Sequence, residues 1–351
     1  MNSQKLLASA LITLLAAFLG FAQQPRQAPE TAEPTIAEPT IKVEVSVVNV
    51  LCAVRDSKGR LTSNLEKQDF EIREDGKLQQ IAYFSRETQL PLTLGLLVDS
   101  SVSQQRLIED ERQAAAAFFE QVLRKQDMAF LINFDVNVNL LQDVTGSVDF
   151  LRQALADIRV TGGGSSSGPF PSARTGGTRL FDTVYLASQD VLGKEAGRKA
   201  LILITDAQDH GSKISRERAV EAAQKTDSIV YGILFVDREF YGFGGVGYQG
   251  ESVLKELAEE TGGRVFRAQS GKELTAAFDQ ISEELRSQYS IGYSPANAAR
   301  DGSYRRIDVR VRGRGLRVQA PHELQHAPIL AVEQQVVRAD VECSTDPHEH
   351  R

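Results

Sequence analysis

The length and charge of the chain limit the class of protein to which it belongs. With 351 residues, the chain exceeds one ordinary domain and falls short of three, so we expect two globular parts. Its formal net charge of −7 at pH 7 disfavours nucleic acid or an anionic membrane surface as a partner. The two cysteines, Cys52 and Cys343, are compatible with one disulfide or with two thiols.

The first 22 residues have the pattern of a secretory signal peptide. Lys5 gives the positive start, Leu6 to Leu19 an apolar run, and Gly20-Phe21-Ala22 a small-x-small cleavage site. An uncleaved membrane anchor is the alternative, but the apolar stretch is short for a membrane span. We therefore expect a secreted or periplasmic protein with no integral membrane segment after cleavage. Residues 23–40, rich in Pro, Gln, Glu, Thr and Ala, are predicted to form a disordered, flexible linker.

Two stretches with alternating strand patterns flank the middle of the chain. Residues 41–88 contain a strand from Ile41 to Val54, a hairpin from Phe70 to Lys77 with Asp-Gly at its tip, and residues 80–85, which are expected to pair back. Residues 288–320 contain further alternating segments at 288–293, 304–311 and 316–318. Because isolated hairpins are marginally stable, the two flanks are predicted to join in one small β-domain.

The end of the chain, residues 321–351, is predicted to be a solvated tail. Its His348-x-His350 pair is expected to bind metal only adventitiously. A basic run precedes the tail, and its alternation on a strand favours one solvated face: Arg305, Arg306, Arg310, Arg312, Arg314 and Arg317.

Strand and helix patterns alternate throughout residues 89–287. Short apolar runs predict buried strands at 92–98, 128–134, 200–205, 229–235 and 264–266, with an antiparallel edge strand at 136–140. Apolar residues at three-to-four spacing and turn signals predict helices at 107–123, 147–158, 179–193, 215–226, 252–260 and 272–287. This alternation is typical of an α/β fold with a doubly wound, mostly parallel sheet.

Oxygen-bearing side chains follow two of these strands. Asp99, Ser101 and Ser103 come at the end of the first strand, Asp206 follows strand 200–205, and Thr178 lies between them in sequence. The carboxyl ends of such strands meet in one crevice where the strand order reverses. Hydroxyl and carboxylate oxygens suit a hard divalent cation, Mg²⁺ or Mn²⁺, whereas zinc prefers thiolate or imidazole. The sequence therefore predicts one metal site.

The pattern Asp-x-Ser-x-Ser, then a Thr after Gly-Gly, then Thr-Asp at a strand end resembles the von Willebrand factor type A domain, over residues 90–287. The resemblance implies a metal-ion-dependent adhesion site. In such a site, the hydroxyls of Ser101, Ser103 and Thr178 would touch the metal. The carboxylates of Asp99 and Asp206 would hold its water molecules.

One metal position would stay open for an Asp or Glu of a protein partner. Neutral hydroxyl ligands leave the cation electrophilic, which favours capture of a carboxylate over catalysis. The resemblance thus implies cell adhesion or protein binding and no enzyme activity. The chain departs from the family at Ala207, where Gly is frequent.

The flanks carry a narrower resemblance. Asp-Phe-Glu-Ile-x-Glu-Asp-Gly-Lys at 69–77 and Tyr-x-Ile-Gly-Tyr at 289–293 resemble secreted bacterial proteins with acidobacterial-type von Willebrand A-related domains. That resemblance indicates architecture and no defined cellular role.

Three alternatives compete with the adhesion site. Asp-x-Ser-x-Ser alone is a common turn and helix N-cap pattern, since Ser and Asp oxygens satisfy free backbone amides. A cell-envelope scaffold whose metal site no longer functions is a second alternative, which Ala207 favours. Gly-x-Ser-x-Gly at 164–168 offers Ser166 as the nucleophile of a hydrolase, but it lies in a Gly/Ser/Pro loop where a strand-to-helix elbow is required.

Two glycine-rich loops, 161–177 and 237–250, are predicted to flank the metal crevice and to set partner choice. The hypothesis for the second loop is that its aromatic residues provide contact area around the open metal position. These residues are Phe240, Tyr241, Phe243 and Tyr248.

Overall fold

The computed structural model describes residues 47–86, 90–160, 177–237, 247–297, 299 and 303–325. The predicted signal peptide, the linker, residues 326–351 with Cys343, and Ser166 lie outside the described residues. The first residues of the predicted tail are not a solvated tail, because residues 323–325 form a strand that pairs with residues 304–306. Phe240, Tyr241 and Phe243 lie outside them as well, as does the side chain of Tyr248. Within the described ranges, no helix is long and apolar enough to cross a membrane.

The strands, in chain order, are β1 (Val48–Arg55), β2 (Phe70–Glu74), β3 (Lys77–Gln79), β4 (Ile81–Arg86), β5 (Leu92–Asp99), β6 (Met128–Phe134), β7 (Val138–Thr145), β8 (Arg198–Thr205), β9 (Ser228–Phe235), β10 (Val265–Ala268), β11 (Tyr289–Tyr293), β12 (Tyr304–Val311), β13 (Arg317–Gln319) and β14 (Glu323–Gln325). The α-helices are α1 (Ile108–Val122), α2 (Val148–Asp157), α3 (Leu180–Leu186), α4 (Arg216–Lys225), α5 (Gly247–Glu260) and α6 (Gly271–Leu285). A π-helical turn, Ala187–Val191, and a 3-10 turn, Leu192–Lys194, extend α3 over nearly the whole predicted helix at 179–193.

Six strands form the central sheet in the order β10-β9-β8-β5-β6-β7. β5 lies between β8 and β6 and is parallel to both, and β7 is the antiparallel edge strand that the sequence predicts. The strand order reverses between β5 and β8, since the chain winds from β5 towards β7 and then from β8 towards β10. The predicted doubly wound α/β fold is confirmed.

The central strands are buried on both faces because helices cover both sides of the sheet. On one face, Leu94 packs in a cluster with Phe118 of α1 and Phe278 of α6, whose rings stack at 4.4 Å between centroids. On the other face, Leu97 and Leu203 pack in a cluster with residues of α3, α4 and α5. The continuous apolar runs of the sequence are thus explained by two cores on one sheet.

The flanks of the chain form a β-sandwich of two sheets, in the orders β13-β1-β11-β4 and β14-β12-β2-β3. One apolar cluster lies between the sheets and draws on both flanks, with Val50, Ile72, Tyr289, Ile291 and Ile307 among its members. The hairpin β2-β3 turns at Asp75-Gly76, where φ is 49° and 79°. Tight hairpin turns require positive φ at both residues, and the pair Asp-Gly favours this conformation. Cys52 is buried in this cluster, and burial raises the pKa of its thiol to about 12.

Two expectations for the flanks were wrong. Residues 80–85 do not pair back onto the hairpin: β3 does so, and β4 crosses to the other sheet and pairs with β11. The crossing buries Ile81 in the cluster between the sheets.

The arginine run is also not one solvated face, because Arg305 points inward and is 2% exposed. Its Nη1 donates to Glu74 Oε1 at 2.8 Å, and the hydroxyl of Tyr293 donates to Glu74 Oε2 at 2.6 Å.

A buried carboxylate joins the sandwich to the last helix of the α/β core. Glu284 of α6 is fully buried and pairs with Arg55 of β1 and with Arg264, whose Nε lies 2.9 Å from Glu284 Oε2. Gln319 of β13 donates to the other carboxylate oxygen at 2.7 Å. The end of α6 is therefore fixed to two strands of the sandwich.

Candidate metal centre

The predicted site residues lie at the carboxyl edge of the sheet, at the reversal between β5 and β8. Asp99 is the last residue of β5, and Ser101 and Ser103 follow in a loop with one 3-10 turn, Val102–Gln104. Asp206 directly follows β8. In open α/β sheets, this is where ligands bind.

Hydrogen bonds connect the two loops across this edge. The hydroxyl of Ser101 lies 3.0 Å from that of Ser103, and Ser103 Oγ donates to Asp206 Oδ2 at 2.6 Å. Asp99 is held from both sides: its Oδ1 accepts the backbone N–H of Ser101 at 2.9 Å, and its Oδ2 accepts the hydroxyl of Thr205 at 2.6 Å. The structure thus brings two carboxylates and two serine hydroxyls into one connected group.

The local alternative for Asp-x-Ser-x-Ser, a turn and helix N-cap, holds in part: Asp99 Oδ1 forms a turn with the backbone N–H of Ser101, but the serines cap no helix. Ser101 is the N-cap residue of the 3-10 turn, yet its side chain makes no capping hydrogen bond. Leu107 takes the N-cap position of α1. The serine hydroxyls point to each other and to Asp206 instead.

Thr178 lies beside the loop that follows Asp206. Its backbone N–H donates to the carbonyl of His210 at 3.3 Å, and its carbonyl accepts the N–H of His210 at 2.9 Å. A Cβ added at Gly177 would lie only 2.6 Å from the His210 carbonyl oxygen, so this close approach requires glycine. The Gly before Thr in the sequence pattern therefore has a structural cause.

The two carboxylates repel each other in a buried place. Asp99 is fully buried and Asp206 is 2% exposed. Burial, and next the charge of Asp206, raise the pKa of Asp99 to about 7. A cation between or beside these groups would relieve the repulsion.

The donor set fits a hard cation. No group of three or more His, Cys, Asp and Glu side chains suited to a metal occurs among the described residues. Two carboxylates and neighbouring hydroxyls are an oxygen-only set, as Mg²⁺ requires, with water completing its coordination. A closed structural zinc site would require thiolates or imidazoles that this edge does not provide.

Sequence reasoning missed four residues that shape the site. Thr205 orients Asp99, as described above, and Asp135 at the end of β6 is buried beside Thr178, where its carbonyl accepts the N–H of Arg179 at 2.9 Å. Gly250 of α5 packs on the backbone of Asp206, and an added Cβ would overlap its carbonyl oxygen. Nothing in the local pattern reveals that contact.

The fourth missed residue, Glu111 of α1, is 1% exposed, and neither of its carboxylate oxygens has a hydrogen-bond partner within the described part of the chain. Burial, and next the charges of Asp99 and Asp206, hold its pKa well above the usual range. The burial of Glu111 could have been predicted from the sequence. Glu111 lies three and four residues before Ala114 and Ala115, which places it on the apolar face of the helix.

Ala207 takes an unusual backbone conformation. Its φ is 58°, in the left-handed region that favours glycine, and its side chain is 2% exposed. The backbone N–H of Ala207 donates to Thr205 Oγ1 at 2.9 Å, which fixes the turn after β8. Glycine takes this conformation without strain, whereas this chain holds it with alanine.

No family model matches the chain, and no curated protein matches it. Among solved structures, it is similar to proximal thread matrix protein 1 from the mussel byssus, with 15% identity and a TM-score of 0.46 over 61% of this chain and 51% of that one. The conserved hypothetical protein BatB from Bacteroides thetaiotaomicron has 18% identity and a TM-score of 0.42, over 56% of this chain and 97% of that one.

The vWF domain of the type V pili tip protein Mfa5 from Porphyromonas gingivalis has 14% identity and a TM-score of 0.41, over 55% of this chain and 94% of that one. The chain spans about half the length of the mussel protein. Similarity at this level does not identify a function.

The strand order, and the position of the candidate site where that order reverses, are those of the doubly wound α/β fold that the resemblance to the von Willebrand factor type A domain implies. The fold predicted from the sequence pattern is therefore confirmed. Membership of the acidobacterial-type group stays a prediction.

Proposed function

We propose that this protein is an exported binding module that holds a divalent cation, Mg²⁺ or Mn²⁺, and uses it to capture an acidic side chain of a partner protein. The proposed ligands and the residues that orient bound water are Asp99, Ser101, Ser103, Thr178 and Asp206. One observation carries the proposal. The hydrogen-bonded series from Ser101 through Ser103 to Asp206 gathers hard oxygen ligands from two loops at the switch point of the sheet.

The burial and the hydrogen bonds of Asp99 support capture of a partner rather than catalysis. Asp99 is fully buried and both of its oxygens accept hydrogen bonds from the protein, so it is suited to hold the loop in place rather than to reach a substrate. A bound cation would supply an electrophilic position for an incoming carboxylate, because the nearest side chains include neutral hydroxyls. We therefore propose a non-enzymatic module.

Export is part of the same proposal and rests on residues 1–22 of the sequence. An envelope scaffold without a working metal site stays the main alternative. Ala207 does not favour it, since its backbone N–H is held by Thr205 Oγ1 beside Asp206. A hydrolase that uses Ser166 is the weaker alternative.

Relaxation of water protons tests the proposal directly. Mn²⁺ bound to the protein with an exchangeable water will relax water protons faster than the same concentration of Mn²⁺ in buffer, and this difference is the increase that is measured. A short capped peptide with one Glu at millimolar concentration will reduce the increase as its carboxylate displaces water, and the same peptide with Gln will not. Ser101→Ala will abolish the increase, whereas Ser63→Ala, at an exposed serine of the sandwich, will leave it unchanged.

An increase that the Glu peptide does not alter would contradict carboxylate capture. Absence of any increase would contradict the metal site and favour the scaffold.

A further inference from the structure

One end of the β-sandwich carries cationic side chains from three separate segments. The turn after β1 contributes Lys58, the 3-10 turn before β2 contributes Lys67, and the segment between β12 and the end of β13 contributes Arg312, Arg314 and Arg317. All five are exposed. We call this set the basic end.

Backbone contacts hold the three segments together. A Cβ added at Gly315 would lie 3.3 Å from the Cβ of Ser57, so the turn at 312–315 packs on the turn after β1. Arg317 pairs with Arg55 in the β1-β13 ladder. The backbone N–H of Arg312 donates to the carbonyl of Asp69 at 2.8 Å, which brings the segment with Lys67 alongside. The basic end is thus built by the fold.

The acidic residues near the basic end are already engaged. Asp56 pairs with Arg60 at 2.7 Å, and Glu66 pairs with Arg86 at 2.8 Å. Asp69 accepts the backbone N–H of Glu66 at 2.8 Å. None of the five cations of the basic end has an ion-pair partner within the described ranges.

The outer face of the sheet beside it is different, because two of its arginines have acidic partners. Arg73 pairs with Glu71 at 2.7 Å, and Arg310 pairs with Asp308 at 2.6 Å. The charge of the whole chain sharpens the contrast. Acidic residues outnumber basic ones 28 to 21 over residues 90–286, whereas seven arginines face three acidic residues over residues 287–325. The C-terminal flank is therefore basic while the α/β core is acidic, and three of the seven arginines of this flank lie at the basic end.

The composition of the basic end limits the kind of partner. No large exposed apolar side chain of the described residues belongs to its turns, so it has no group to insert into a bilayer and no aromatic ring to stack on a base. Protein interfaces are enriched in aromatic anchors, which are absent from this set. Arginine guanidinium groups bind carboxylate, sulfate and phosphate oxygens in pairs. A flexible polymer that carries repeated acidic groups fits such a surface best.

We propose that the basic end binds an anionic polysaccharide through its acidic groups. An exported protein would meet such a polymer outside the cytoplasm. The choice of a polysaccharide as the polyanion is the one step that rests on the proposed export. The interaction is independent of the metal site, which lies at the carboxyl edge of the α/β sheet. A module with both features would link a polysaccharide matrix at its sandwich to a protein partner at its metal centre.

Binding to immobilised polygalacturonate tests the inference. The fully methyl-esterified polymer, which has the same backbone without the charges, is the control. The measurement is made in EDTA, which removes any bound metal. Binding of the polysaccharide is then tested independently of the proposed metal site. We expect binding at low salt that weakens as salt rises from 50 to 300 mM, because exposed charges are screened over about 8 Å at physiological ionic strength.

The double variant Arg312→Glu with Arg314→Glu should bind at least about tenfold more weakly, because it replaces two positive charges of the basic end by two negative charges that repel the polymer. The double variant Lys125→Glu with Lys272→Glu makes the same change in net charge at exposed lysines of the α/β core, and should bind as the unaltered protein does. Circular dichroism of both variants checks their fold.

Equal weakening in the two variants would overturn the inference, because net charge alone would then explain binding. No binding at low salt would overturn it as well. Binding to duplex DNA or to phosphatidylglycerol vesicles in preference to polygalacturonate would replace the polysaccharide by another partner and refute the assignment.

Discussion

Replacement of Gly250 by alanine is expected to damage the metal centre without touching any proposed ligand side chain. The ideal Cβ would overlap the carbonyl oxygen of Asp206, and real Cβ atoms keep at least 3.0 Å from such an atom. Either α5 or the Asp206 loop must therefore move by roughly 1 Å, since packed interiors leave no free space. The Cβ would also lie 3.3 Å from the Cβ of Ala207, which blocks retreat on that side.

Two opposing effects decide the change in stability. Alanine in a helix gains about 1 kcal/mol over glycine, and overpacking of a buried contact costs about 1–3 kcal/mol. We expect a net loss of about 1 kcal/mol in the free energy of unfolding, since the second effect dominates. The displaced Asp206 also weakens its 2.6 Å hydrogen bond from Ser103. A hydrogen bond to a charged group contributes about 1.5–3 kcal/mol, and loss of about half of it should lower Mg²⁺ affinity by about three- to tenfold.

Urea unfolding in EDTA measures the first quantity, and calorimetric titration of Mg²⁺ measures the second. Gly193→Ala is the matched control, because its added Cβ would meet its nearest atom at 3.5 Å, an ordinary contact. Unchanged stability and unchanged Mg²⁺ affinity in Gly250→Ala would refute the close packing of α5 on the Asp206 loop.

Three further substitutions probe other parts of the account. Glu284→Ala should lower the free energy of unfolding by about 3 kcal/mol, because it leaves Arg55 and Arg264 without their buried partner. A loss below about 1 kcal/mol in urea unfolding would contradict this. Ala207→Val should be destabilising by more than about 1 kcal/mol, since a β-branched residue resists a φ of 58°, while Ala207→Gly should be near neutral in the same assay. Glu111→Gln should reduce the pH dependence of the melting temperature in EDTA.

The sign of that pH dependence follows from the direction of the two pKa shifts. Asp99, with its pKa raised from 3.8 to about 7, and Glu111, with its pKa raised above 4.5, are both easier to ionise in the unfolded chain. Their stabilising contribution is therefore complete at low pH and is lost as pH rises from about 4 towards 7 and beyond. Metal-free protein should melt at a lower temperature at pH 8 than at pH 5, and saturating Mg²⁺ should reverse much of the difference. A higher melting temperature at pH 8 in EDTA would contradict the burial of both carboxyls.

Features that depend on local pattern were predictable from the sequence. The strand from Leu92 to Asp99 is buried on both faces, so a continuous apolar run marks it without ambiguity. Parallel strands must deliver Asp99 and Asp206 to the same edge, and this geometry follows from the alternation of strands and helices alone.

Features that depend on distant partners were not predictable. Arg305 turns inward because Glu74, more than two hundred residues away, and Tyr293 provide a complete set of hydrogen bonds in the sandwich core. β4 leaves the hairpin for a strand that follows the whole α/β core. The contact of Gly250 with Asp206 is likewise visible only once α5 is packed.

Calorimetric titration of Mg²⁺ into metal-free protein tests the central claim most directly. The account predicts about one equivalent of bound Mg²⁺ that raises the melting temperature, as expected for a ligand of the folded state. It also predicts that folded Asp99→Ala and Ser103→Ala variants bind none. No heat and an unchanged melting temperature at millimolar Mg²⁺, or binding that persists in both variants, would contradict a metal centre at the ends of β5 and β8.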